Sequence, residues 1–278
     1  DRRQAPETTL KHTKRDRETH MAKFAANLSM LFTEVDFLDR FEAAAKAGFK
    51  GVEYLFPYAF EAAEIRKRLD DNGLTQVLFN LPAGDWGAGE RGIACHPDRV
   101  EEFRSGVDRA IAYAKVLGNT QVNCLAGIKP EGVSDDQARQ TLVENLRFAA
   151  EKLAAEGILL IAEPINTRDI PGFFLNRTAQ ALALFDEVGS TNLKLQYDIY
   201  HMQIMEGDLA PTIEKHLDRI AHVQIADNPG RHEPGTGEIH YPFLFAHLDR
   251  LGYDGWIGAE YKPKAGTQEG LGWLDGVR

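Results

Sequence analysis

Cysteine is scarce: Cys95 and Cys124 are the only two in 278 residues. Two thiols cannot build a disulfide framework, and free thiols are normal in a reducing cytoplasm, so a cytoplasmic protein is expected. Both read as small buried apolar side chains rather than nucleophiles. Long apolar runs are missing too. No stretch of 18 apolar residues occurs, so no helical membrane span is expected. Positive charge is in deficit, with 32 Lys and Arg against 42 Asp and Glu and a net charge of -10. That balance argues against nucleic acid or an anionic membrane surface as the main partner. No GxGxxG follows the first strand-like run, which removes the usual reason for a dinucleotide-binding fold. The glycine-rich GDWGAGERG (84–92) lacks the Lys-Ser/Thr of a phosphate-binding loop.

Residues 1–20, DRRQAPETTLKHTKRDRETH, lack aromatics and carry one leucine, six basic and four acidic side chains. They contain no apolar core of a secretory signal. Met21 reads as a natural start, so 1–20 are expected to be an unstructured leader or upstream extension. A basic tail with a binding role is the alternative. Residues 21–278 are expected to form one domain, since no low-complexity linker divides them.

Short apolar runs then alternate with longer helical patterns. The runs are FAANLS (24–29), GVEYLF (51–56), TQVLFN (75–80), TQVNCL (120–125), ILLIAEP (158–164), LKLQYD (193–198), IAHVQIA (220–226) and GWIGAEY (255–261). Between them, DFLDRFEAAAKAG (36–48), VEEFRSGVDRAIAYAKVLG (100–118) and QARQTLVENLRFAAEKLAAEG (137–157) show helical apolar spacing and stop at glycine. Apolar strands separated by helices imply a parallel sheet covered on the outside. Eight such units predict a single (β/α)₈ TIM barrel of the α/β class. A doubly wound open sheet is the other architecture weighed.

Active sites of such barrels collect at the C-terminal ends of the strands. Here those ends are polar. Strand 2 carries Glu53 and strand 3 ends in Asn80. Strand 5 ends in Glu163, strand 6 in Asp198, strand 7 contains Gln224, and strand 8 ends in Glu260. Three carboxylates and one carboxamide would thus converge from four consecutive strands. Crowded carboxylates repel one another and lose solvation, so protons or a cation must compensate. Oxygen donors without cysteine, and with at most one histidine, suit Mg²⁺ or Mn²⁺ better than zinc. A divalent metal held by Glu163, Asp198, Gln224 and Glu260 is the expectation. Each residue also has a bland role: loop carboxylate, helix cap, strand amide and surface ion pair. Their shared register is what makes four independent bland roles improbable together.

AANLSMLF, NLPAGDWGAGERGIAC, LIAEPIN, YDIYHMQ, HVQIADNPGRHEPGTGEI and GAEYKP together resemble the hydroxypyruvate isomerase branch of the xylose isomerase-like barrel superfamily. The ketose 3-epimerases and endonuclease IV are more distant relatives. The resemblance spans essentially all of 21–278. It implies a metal on Glu163, Asp198, Gln224 and Glu260, with Glu163 and Glu260 exchanging the proton. The epimerase relatives commonly carry histidine where this chain has Gln224. The implied reaction converts hydroxypyruvate to tartronate semialdehyde through a cis-enediolate. The same resemblance allows 2-oxo-tetronate, a four-carbon relative, as substrate.

Further candidates follow from position. His201, three residues past Asp198, is expected in the loop after strand 6, where it could hydrogen-bond a substrate hydroxyl or oxygen or merely pack. Lys262 lies two beyond Glu260 and on the same side of an extended strand. Lys262 or Arg231 could neutralise a substrate carboxylate; surface ion pairing is the alternative. Glu53 and Asn80 line the opposite wall, for substrate contact or structural hydrogen bonding. GDWGAGERG is either a closing lid, with Trp86 excluding water, or a rigid turn cluster. The partner expected is a small hydroxy-keto acid, without nucleic acid or membrane; a homo-oligomer is compatible with the sequence. A metal-dependent endonuclease and a non-catalytic binder on the same scaffold are the readings from other classes. The first needs a basic face and a histidine-rich zinc site.

Overall fold

The computed structural model describes residues 22–277. The expected leader, residues 1–20, lies outside the described residues. Eight strands run in parallel: β1 (Lys23–Asn27), β2 (Gly51–Glu53), β3 (Thr75–Leu78), β4 (Gln121–Cys124), β5 (Leu159–Ala162), β6 (Leu193–Asp198), β7 (Ile220–Ile225) and β8 (Trp256–Ala259). Every apolar run of the sequence contributes one. Hydrogen-bonded neighbours follow the order β3-β2-β1-β8-β7-β6-β5-β4. The seam between β3 and β4 is joined just past the strand ends. There Asn80 bridges Asn123, the Asn123 amide donates to Phe79 O at 3.0 Å, and Leu81 N donates to Asn123 O at 2.8 Å. The result is a nearly closed barrel, not an open doubly wound sheet.

The helices wrap the outside: α1 (Arg40–Lys46), α2 (Ala62–Asn72), α3 (Val100–Leu117), α4 (Asp135–Ala155), α5 (Thr178–Val188), α6 (Ile199–Met205), α7 (Leu209–His216) and α8 (Tyr241–Leu251). On α4, Ala138, Leu142, Leu146, Ala149 and Leu153 are buried at helical spacing, each leucine contributing roughly 1.5–3 kcal/mol of apolar burial. This helix starts two residues before the sequence expectation because Ser134 and Gln137 form a reciprocal capping box. The single helix expected over 36–48 is divided. A 3₁₀ turn, Phe37–Asp39, precedes α1 and lets Phe37 stack on Phe60 at 5.0 Å and meet Tyr54 edge-on at 5.1 Å.

Cys95 and Cys124 are free and buried, and burial pushes the Cys95 thiol up to about 12. Neither is a thiolate at neutral pH, as a packing role requires. No helix among the described residues is long and apolar enough to cross a membrane.

One glycine is fixed by the barrel interior. A Cβ at Gly258 of β8 would lie 2.3–2.5 Å from the Glu53 carboxyl group, so only glycine leaves that carboxyl its place inside the barrel. Gly258→Ala should therefore lower unfolding free energy by about 1–3 kcal/mol, read from denaturant midpoints. An unchanged midpoint would show that the interior has slack there.

Candidate active site

Four neighbouring strand ends converge on one cavity of about 810 Å³ at the C-terminal mouth of the barrel. Glu163 and Glu260 immediately follow β5 and β8, Asp198 ends β6, and Gln224 sits in β7. Gln224 is in register with Asp198 on one side and Gly258 on the other. Glu163, Glu260 and Gln224 line the cavity with Glu53, Asn80 and His201, while Asp198 is fully buried behind them.

The alternating strand pattern explains why these side chains point inward, and burial explains their chemistry. Desolvation, with Glu260 and Asp198 nearby, holds Glu163 well above the usual carboxylate range. Burial pushes Glu260 up to about 8 and Asp198 up to about 6, in both cases against the pull of Arg231. Arg231 Nη2 donates to Glu260 Oε1 at 3.2 Å and stands 4.0 Å from Asp198 Oδ2. The guanidinium lies over the Tyr200 ring, 5.1 Å from its centre. Three ionised carboxylates with one arginine would carry a charge near −2. Without a further cation, protons must make up that deficit.

Asp198 divides its work between two oxygens. Its Oδ1 accepts from His201 N at 3.3 Å and caps α6. Its Oδ2 is buried with no hydrogen-bond partner. Because the cap starts α6 at Ile199, His201 lies in a helix rather than in the expected loop. Ligand atoms of Glu163, Asp198 and His201 come within 4.8 Å of one another, the one such acidic-histidine grouping among the described residues. Glu260 stands outside it, drawn to Arg231. An unpartnered buried carboxylate oxygen beside further oxygen donors fits a hard divalent cation.

His201 itself is better suited to donate than to ligate. Asn166 Oδ1 accepts from Asp169 N at 2.7 Å, which orients the amide so that Nδ2 faces His201 Nδ1 at 2.8 Å. Nδ1 is then an acceptor, and the imidazole proton resides on Nε2. That nitrogen faces Glu163 Oε1 at 3.6 Å and Asp198 Oδ2 at 3.7 Å, with Arg231 Nη2 at 3.4 Å. Burial and Arg231 hold the ring's pKa well below its ordinary value, so it stays neutral.

The cavity floor is a hydrogen-bonded set that sequence reasoning only half found. Glu53 Oε1 accepts from Asn27 Nδ2 at 3.1 Å and from Gln224 Nε2 at 2.7 Å, and its Oε2 meets His222 Nε2 at 2.7 Å. Gln224 Oε1 accepts from Gln196 Nε2 at 2.6 Å. His222 and Gln196 went unnoticed, although His222 is two residues from Gln224 and therefore on its face of β7. Asn80 Oδ1 accepts from Asn123 Nδ2 at 3.0 Å across the β3–β4 seam. Lys262 reaches the rim, where its side chain is exposed and its backbone N donates to Arg231 O at 2.7 Å. GDWGAGERG is tied down at several points. Gly89 N donates to Trp86 O, Glu90 N to Asp85 O, and Gly92 N to Ala83 O at 2.9 Å. A Cβ at Gly92 would meet Leu125 O at 2.4 Å. These bonds hold the turns of the segment together.

Against known proteins, residues 41–277 match the family model of the xylose isomerase-like TIM barrel. Hydroxypyruvate isomerase of Escherichia coli K12 is 58% identical over 258 residues, 93% of this chain and 100% of that protein. A 2-oxo-tetronate isomerase of Cupriavidus necator is 55% identical over 254 residues, 91% of this chain and 98% of that protein. A crystal structure from Brucella melitensis, described as an AP endonuclease of family 2, superposes with a TM-score of 0.90 at 49% identity. It spans 93% of this chain and 100% of that one.

Two outcomes check the electrostatics. Nitrogen-15 NMR of the His201 ring should show the proton on Nε2, and a proton on Nδ1 would contradict the Asn166 assignment. In the absence of divalent cation, raised carboxyl pKa values mean the fold binds more protons than the unfolded chain between about pH 4.5 and 8. Stability contributed by these groups is present at the acid end and is lost as pH rises through that window. Thermal midpoints should decline more steeply for the wild type than for Glu260→Gln; parallel slopes would contradict it.

Proposed function

The chain belongs to the xylose isomerase-like TIM barrel family, and from that premise we propose that it is a metal-dependent aldose–ketose isomerase interconverting hydroxypyruvate and tartronate semialdehyde. The observation that carries this is the group of three buried carboxyls served by one arginine, with Asp198 Oδ2 left without a hydrogen-bond partner. Mg²⁺ or Mn²⁺ would be held by Glu163, Asp198 and Glu260 with the carbonyl oxygen of Gln224. A divalent charge brings three carboxylates and Arg231 to neutrality. Bound there, such an ion supplies Lewis-acid stabilisation of the negative charge that develops on the substrate's oxygens.

The rest of the chemistry falls to the chain. Glu163 and Glu260 are the two groups assigned to move a proton. One carboxylate removes a proton from C3 of the ketone, leaving a cis-enediolate. The C3 hydroxyl proton passes to the C2 oxygen, the abstracted proton is returned at C2, and the carbonyl has moved to the terminal carbon. Such general acid–base catalysis contributes roughly 10²–10⁴-fold. His201, neutral with its proton on Nε2, donates to a substrate oxygen. Arg231 keeps the carboxyls closer to ionisation than burial alone would. Glu53 holds the Gln224 amide in one orientation from below, and Asn80 fixes the wall across the seam. Lys262 stands at the entrance.

2-Oxo-tetronate, longer by one hydroxymethyl group, is the alternative substrate, and a cavity of about 810 Å³ has room for either acid. A nuclease reading fits poorly. Phosphate backbones are bound through clustered positive charge, whereas this chain carries -10 overall and its cavity gathers carboxyls. A reducing cytoplasm suits the two free thiols.

Glu163→Gln and Glu260→Gln should each lower turnover of hydroxypyruvate at least about 100-fold. Near-normal turnover would remove either residue from proton transfer, and full ligand binding without any turnover in the wild type would favour a non-catalytic binder. EDTA should abolish isomerisation and Mg²⁺ or Mn²⁺ restore it; indifference to EDTA would rule out a metal site. Turnover of both acids, measured side by side, identifies the preferred chain length.

A further inference from the structure

The isomerase reading places an anionic substrate beside three carboxylates whose charge is already matched by the metal and Arg231, so that pairing leaves no cation for its acid end. Something else in the cavity must receive that end. Four cationic side chains line it: Arg91, Arg168, Arg231 and Lys262. Arg231 is taken up by Glu260 and Asp198. Arg168 is more than half exposed, and its Nη2 donates to Asn228 Oδ1 at 3.1 Å. Lys262 is exposed on a flexible stem at the rim. Arg91 differs from all three.

Its guanidinium stacks on Trp86, 4.1 Å from the ring centre, and Trp86 is itself packed edge-on against Phe56 at 5.1 Å. Nη1 donates to Trp86 O at 3.1 Å and to Glu90 O at 2.7 Å. Nε and Nη2 have no hydrogen-bond partner among the described residues, and neither is a buried orphan. The backbone beneath is pinned at Gly92, whose Cα approaches Leu125 O too closely for any side chain. Arg91 is therefore a half-satisfied fork held still before any ligand arrives. A planar fork with two adjacent N–H groups matches a carboxylate in bidentate geometry. The stacked aromatic face supports the charge without neutralising it.

We propose that Arg91, clamped on Trp86, is the carboxylate subsite that makes this barrel select small hydroxy-keto acids over neutral ketoses. This rests on the isomerase reading for the reaction, but not for the binding. The test uses the metal-loaded full chain with glycerate as a non-isomerising hydroxy acid and 1,3-dihydroxyacetone as the neutral counterpart of hydroxypyruvate. Arg91→Met should weaken glycerate binding, measured by titration calorimetry, on the order of 10- to 100-fold. It should raise KM for hydroxypyruvate by a similar factor. Arg91→Lys should fall between, keeping charge but not the fork. Dihydroxyacetone affinity should change less than about twofold in both. Unchanged glycerate affinity, or an equal loss for dihydroxyacetone, overturns the subsite. A wild type that binds glycerate through Arg91 yet isomerises neither keto acid would sink the isomerase reading and leave the subsite standing.

Discussion

Three buried carboxyl groups face one arginine, and that imbalance governs the rest of the site. Glu163, Asp198 and Glu260 arrive on β5, β6 and β8 because a parallel barrel directs every strand end to the same mouth. Their desolvation favours protons. Arg231 offsets part of it through Glu260 and Asp198. A divalent cation bound there would remove the remainder, and the ionisation that seats it would leave a glutamate free to act as a base. Metal binding and proton transfer are on this view one electrostatic problem.

Surrounding side chains keep that problem well posed. Below the carboxyls, Glu53 links Asn27, His222 and Gln224 into a floor, and Gly258 leaves the space that floor needs. Beside them, Asp169 and Asn166 decide which nitrogen of His201 carries the proton. Above them, the hydrogen-bonded turn of 84–92 presents Trp86 with the Arg91 guanidinium stacked on its ring. The cavity is acidic at its base and cationic on its upper wall, a polarity suited to a short molecule with hydroxy-ketone oxygens toward one end and a carboxylate at the other.

Much of this was legible in the sequence, for a physical reason. Strands buried on both faces read as apolar runs, so LKLQYD and ILLIAEP announced β6 and β5, and a carboxylate ending each was conspicuous. Side-chain partners were less legible. His222 looked like one polar residue within an apolar strand, and only the fold brings it to Glu53 across 169 positions of sequence. The His201 tautomer depends on an amide orientation set by a third residue. Lys262 was expected beside Glu260 by strand alternation. Both line the same cavity, the lysine with an exposed side chain beyond the end of β8 at Ala259. The division of 36–48 into a 3₁₀ turn and α1 reflects aromatic packing of Phe37 that periodicity cannot register. The S-x-x-Q cap of α4, in contrast, was present in the residues and went unread.

Calorimetric titration of the metal-free chain with Mn²⁺ at pH 7, repeated in buffers of different ionisation enthalpy, tests the charge imbalance most directly. One ion per chain should bind with release of roughly one to two protons, because the carboxyls give up what burial had kept on them. Absence of binding, or binding that releases no protons, would contradict the account.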